Sequence, residues 1–79
     1  MVFENIKQID DFLDAVQKCK GNVYLKSTEG DVFNLKSRLS QYVAIGALLD
    51  DEGDYLELFC DEHEDEGYFY TFFVDHPEV

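Results

Sequence analysis

Four groups of side chains in this sequence have types and spacings that could do chemistry. Ser37 follows a short alternating run at residues 32–35 and Lys36, and a helical pattern begins just after it, so its hydroxyl stands where a helix N-cap belongs. A hydroxyl there can satisfy first-turn N–H groups as a plain cap, and it can also accept a phosphate. The helix dipole would stabilise that phosphate, with Lys36 and Arg38 adjacent as positive partners. Asp61, Glu62, His63, Glu64, Asp65 and Glu66 form a second group, five carboxylates and an imidazole in six positions. Such a run offers oxygen ligands to Ca²⁺ or another divalent ion. Neither it nor residues 50–54 carries the glycine and distal glutamate of a calcium loop, so weak counterion binding in a solubilising turn is expected, with no defined metal site.

His63 and His76 are the third group and the only imidazoles that could serve as a base. Cys19 and Cys60, the fourth, read as packing residues. A nucleophile needs a base beside it and a third group that orients the base, and no such arrangement stands out. Phosphate-binding loops and dinucleotide fingerprints are also absent, because the five glycines are scattered. The expectation is therefore a protein with no catalytic residue, no cofactor and no enzymatic activity.

The composition narrows the partners. Eighteen acidic against six basic residues leave a net charge of −12 in 79 residues. A surface of that sign repels phosphate backbones and anionic headgroups, which excludes nucleic acid and membrane and leaves a protein partner or a second copy of the chain. At 46% hydrophobic and 15% aromatic, the chain is expected to fold as a single domain spanning residues 1–79. No apolar run approaches the roughly 20 residues that a membrane span requires. With no secretory pattern at the N-terminus, the two cysteines are expected as reduced thiols in the cytoplasm.

The elements that position these groups follow from periodicity. Asn5 and Gln8 have the spacing that opens a helix, and Ile6, Ile9, Phe12, Leu13 and Val16 then recur at helical intervals until Gly21. Val23 and Leu25 alternate with Tyr24 and Lys26, and Glu29–Gly30 turns the chain into residues 32–35, giving a β-hairpin. Leu39, Tyr42, Val43, Gly46 and Leu49 fall on one stripe of a second helix over residues 38–49. That stripe is expected to face the core, with Gly46 letting the helix lie close to the sheet. An acidic turn covers residues 50–54. Residues 55–60 alternate as a strand, and the aromatic run 67–74 reads as another, joined to it across the acidic residues 61–66.

The order α-β-β-α-β-β predicts an α+β fold. Two helices would pack on one face of a four-stranded antiparallel sheet, an open-faced sandwich. The bare face would then carry Tyr24, Val32, Asn34, Tyr55, Glu57, Phe59, Tyr68, Tyr70 and Phe72. That is a strongly aromatic surface suited to a homodimer or another protein, provided the last strand has this parity.

The stretch from Asn22 to Leu25, the hairpin, Asn34, Leu35, Lys36 and Ser37, the following helix and residues 55–61 together resemble the middle of the histidine-containing phosphocarrier proteins (HPr) of the bacterial sugar phosphotransferase system. The resemblance covers about half of the chain. It implies a β-α-β-β-α-β-α open-faced sandwich and a regulatory serine, carried by Ser37. It also implies a phosphoryl-accepting histidine before the first helix, where this chain has Asn5, Ile6 and Lys7 instead. The family's last helix is expected to be missing, its place in sequence taken by the strand at residues 67–74. A circularly rearranged relative would reconcile the two orders, and would bring His76 toward the N-terminus of the first helix. The functional expectation is a small acidic HPr-like interaction domain that self-associates through the aromatic sheet face. Phosphotransfer or phospho-regulation at Ser37, or less readily at His76, is the alternative, and an acidic divalent-metal-binding module is the second alternative.

Overall fold

The computed structural model of the chain describes residues 1–50 and 55–79. In chain order the elements are α1 (Ile6–Lys18), β1 (Val23–Ser27), β2 (Val32–Asn34), α2 (Arg38–Leu48), β3 (Leu56–Cys60), a 3₁₀ turn (His63–Asp65) and α3 (Glu66–Asp75). The strands form an antiparallel sheet in the order β2-β1-β3. The α+β class holds. Among the described residues, however, the architecture is three helices with three strands, not two with four.

The local signals at the N-terminal half work as their chemistry dictates. Asn5 caps α1, its Oδ1 accepting from the Gln8 N–H at 3.0 Å, while Gln8 Oε1 reaches back to accept from the Glu4 N–H at 2.7 Å. Gly30 has φ +97°, the left-handed conformation that the β1–β2 turn demands. Gly21 answers a different need. A Cβ there would stand 2.7 Å from Glu62 Cγ and 3.4 Å from Asp61 Cβ, so the chain leaving α1 runs close against the side chains of residues 61 and 62.

Residues 67–74 are helical, which corrects the fourth strand and removes the element on which a circular rearrangement was based. Their β-branched and aromatic composition favours a strand only weakly, because tertiary context overrides such propensities. The deciding geometry is the spacing of Phe69 and Phe72. Three residues apart, they would point to opposite faces of a strand, whereas on a helix both reach the same core. Both are buried, and the ring of Phe12 lies 5.5 Å from each of theirs. Phe3 completes the cluster at 5.2 Å from Phe12 and 5.8 Å from Phe72.

Val23 and Leu25 of β1, Leu56 of β3, Leu35, Ala44 and Leu48 surround these rings in one continuous core. Tyr24, Lys26, Glu57 and Phe59 alternate onto the opposite side of the sheet, which no helix covers among the described residues. Of the face expected from the alternation, the part on these strands lies there, and the part expected on a fourth strand does not. The acidic turn expected at 50–54 lies, but for Asp50, outside the described residues.

A domain of this length has a total stability of about 4–12 kcal/mol. Phe12→Ala empties the centre of the ring cluster and should cost about 3–5 kcal/mol, read as a large fall in the urea midpoint at 25 °C. A loss below about 1 kcal/mol would show that the rings do not pack as described.

Candidate interaction surface

The groups singled out by their chemistry are dispersed by the fold. Ser37 takes extended backbone at the N-cap position of α2, but its hydroxyl makes no capping hydrogen bond and stands exposed. The junction is built instead by its neighbours. Asn34 Oδ1 accepts from the Lys36 N–H at 2.9 Å, the Ser37 N–H donates to the Asn34 carbonyl, and Gln41 Nε2 donates to the Leu35 carbonyl. Lys36 Nζ reaches across to the Cys19 carbonyl at 2.7 Å, where it meets the negative end of α1. The ammonium is thus directed to α1 and away from Ser37.

The acidic run splits in three directions. Asp65 turns inward and is buried, accepting from the Gly21 N–H at 2.9 Å and the Lys20 N–H at 3.1 Å. These backbone donors, that of Gly21 first, hold its carboxyl below the usual carboxylate range. Asp61 lies 3.5 Å from the Tyr24 hydroxyl, and Glu66 pairs with His63. Among the described residues no three histidine, cysteine or carboxylate side chains gather as a metal would require.

His76 does approach α1. Its Nε2 is 2.8 Å from Asp11 Oδ2, and its ring centroid lies 4.9 Å from that of Phe72. Glu78 Oε1 stands 3.6 Å from Nδ1 and accepts a hydrogen bond from Gln8 Nε2. Lys7 in turn donates to both oxygens of Asp11, and this contact above all, with the imidazole second, depresses the Asp11 carboxyl. A carboxylate thus faces each ring nitrogen of His76. The groove beside it, about 390 Å³, carries no serine or cysteine. What the constellation does is fasten residues 76–79 across α1.

The free thiols are Cys19, buried and donating to the Ala15 carbonyl, and Cys60, half-buried on the core side of β3. Burial pushes the Cys60 thiol up to about 11.

The aromatic sheet face is smaller than its sequence implied. Tyr24 and Phe59 lie on it, and Lys26 Nζ sits 4.5 Å above the Phe59 ring, screening part of it. Tyr55 precedes β3 and is exposed. Tyr68, Tyr70 and Phe72 are on α3, where Tyr70 is exposed and Phe72 belongs to the core.

A larger apolar surface emerges on α2. Leu39, Tyr42, Val43 and Leu49, expected to face inward, are 77%, 66%, 55% and 51% exposed, while Ala44 and Leu48 on the other side are at 0% and 1%. Gly46 lies on the same outward stripe, and a Cβ added there would meet nothing within 4 Å, so it does not serve close packing against the sheet. The misreading has a clear source: α2 is apolar nearly all round, and its buried side is made by small Ala44 with Leu48, which a reading weighted to large side chains passes over. Comparison with protein-family models, with curated proteins and with solved structures returns no match.

Two outcomes follow. First, because the folded Asp65 carboxyl titrates below its unfolded value, its contribution is present above the unfolded pKa and is lost as pH falls through the folded one. Asp65→Asn should therefore lower the thermal midpoint at pH 7, and the gap from the parent protein should narrow as pH falls below the ordinary carboxylate range; a gap that stays the same in acid would contradict the clamp. Second, Leu39→Gln should change stability by no more than about 0.5 kcal/mol while Leu48→Ala costs about 2–5 kcal/mol, and urea midpoints in the reverse order would turn α2 over.

Proposed function

We propose that this chain is a non-enzymatic interaction domain of the bacterial cytoplasm that self-associates, and that the face it uses is the outward stripe of α2. The observation that carries this reading is the line of Leu39, Tyr42, Val43 and Leu49, each more than half exposed, around a glycine with open space above it. Contiguous apolar surface of this kind is disfavoured in an isolated small domain and marks a contact site.

Electrostatics favours a second copy as the occupant. Residues 32–49 contain no carboxylate, although the chain as a whole carries 18. This is the longest stretch of the sequence free of carboxylates, and over it two chains of net charge −12 can meet with the least repulsion. A basic partner, by contrast, would be drawn to any of the other surfaces. Antiparallel contact of two α2 helices about a two-fold axis makes the same stripe serve both partners, and a glycine at the crossing lets the backbones approach closely.

The resemblance to the phosphocarrier sandwich enters here as part of the proposal. With residues 66–75 helical, the order α-β-β-α-β-α is that of the family's β-α-β-β-α-β-α without its first strand, and this supports an HPr-like fold. Carrier chemistry does not belong to the reading. Lys36 is directed to the Cys19 carbonyl and His76 is flanked by Asp11 and Glu78, so neither Ser37 nor His76 has the surroundings that phosphoryl transfer needs.

In sedimentation velocity the chain should run as a concentration-dependent dimer. Val43→Asp should make it a monomer with an unchanged circular dichroism spectrum, and Phe59→Ser on the open sheet face should leave the dimer intact. A strict monomer at high concentration would overturn the self-association, and a dimer sensitive only to Phe59→Ser would return the interface to the sheet.

A further inference from the structure

At the end of the sheet away from α2, β3 is hydrogen-bonded to β1 on one side only, in the order β2-β1-β3. Among the described residues no strand pairs with its other edge, which offers the N–H and C=O groups of a free strand. Beside this edge an open apolar trough of about 330 Å³ runs between β3 and α3, lined by Leu58, Cys60, Phe69, Tyr70 and Phe73 with Glu66 at its rim. Leu58 and Cys60 point into the trough, while Glu57 and Phe59 alternate onto the open face.

We propose that the free edge of β3 is a strand-addition site for an extended peptide segment that alternates apolar with basic residues. The occupant's chemistry is set by three complements. Backbone groups of an edge are satisfied by another strand. The pleat sends alternate side chains of that strand to opposite faces, one set into the trough against Leu58, Phe69 and Phe73 and the other past Glu57. The Glu57 carboxylate on the open face, with Asp61 and Glu62 following β3 in sequence, then selects lysine or arginine at the second set of positions. These same carboxylates disfavour a second copy, because edge-to-edge pairing of two β3 strands would bring the acidic runs of two such chains together. This site is independent of α2, which packs on β2 at the other end of the sheet.

The test uses the full chain and a synthetic eight-residue peptide alternating valine and lysine, titrated calorimetrically with amide chemical shifts recorded in parallel. Shifts should concentrate at residues 56–60 and 66–73. N-methylation of the peptide's alternate, edge-facing amides should weaken binding by about tenfold or more, as should Glu57→Lys together with Tyr70→Glu, an exposed pair whose substitution spares the core. Equal binding of the N-methylated peptide, or of a block peptide with the same composition, would reduce the effect to charge attraction and overturn the proposal. Absence of binding, or shifts confined to other elements, would overturn it too. Repeating the titration in the Val43→Asp background should give the same affinity whether or not α2 self-associates. Failure of one proposal is thereby separated from failure of the other.

Discussion

The ring of Phe12 is the contact on which the rest of this fold depends. It has no solvent exposure, and it touches Phe3 from the N-terminal segment and Phe69 and Phe72 from α3, so that one side chain ties both ends of the chain to α1. Aromatic pairs at these separations each add about 0.5–1.5 kcal/mol beyond the area they bury. In a domain with a small core, a cluster of this kind is a large fraction of what offsets the conformational entropy of folding. It also dictates the secondary structure of residues 66–75. Only a helix brings Phe69 and Phe72 to Phe12 together, and the consequence is a sheet that stops at β3.

That constraint explains which parts of the fold were legible in the sequence. The cap of α1 was readable because Asn5 and Gln8 act locally, through hydrogen bonds to backbone one turn away. The β1–β2 turn was readable for the same reason, since Gly30 supplies a backbone conformation that few other residues adopt. The last element was not. Tyr68, Phe69, Tyr70, Thr71, Phe72 and Phe73 all favour strands as individuals, and the interaction that makes them helical lies more than 50 residues away at Phe12. Thr71 shows the accommodation in detail: its hydroxyl folds back to donate to the Gly67 carbonyl at 3.1 Å, a bond that exists only in a helix. The orientation of α2 was hidden for a different reason. Periodicity locates an apolar stripe but does not say which of two stripes meets the sheet, and the buried side here depends on the small volume of Ala44.

The candidate chemistry was legible in kind and not in place. His76 and Asp11 are separated by 65 residues and meet because α3 packs against α1; Asp65 leaves the acidic run because the exit from α1 presents the N–H groups of Lys20 and Gly21 to it. In each case a residue that could have served a ligand is engaged by the protein's own backbone or side chains. The carboxylates of Asp11, Asp65 and Glu78 are all depressed by such internal partners. Sequence composition registers them as charge and cannot distinguish the few that are structural from the many that are solvated.

The remaining acidic residues then act as a selector of contacts. A chain of net charge −12 repels its own copies over most of its surface, so an apolar patch flanked by carboxylates and one free of them have different consequences. The α2 stripe lies in the carboxylate-free segment of residues 32–49, and its hydrophobic surface is accessible to an identical chain. The β3 edge carries Glu57 and leads into Asp61 and Glu62, and the strand proposed to add there is one that brings positive charge. Edge strands are a liability because they pair with whatever offers a complementary ladder, and inward or flanking charge is one of the ways that proteins restrict the choice. Here the restriction comes from the same residues that keep the bulk of the surface from self-association. In the two proposals the ends of one short sheet are thereby sites of opposite preference, one for like chains and one for unlike.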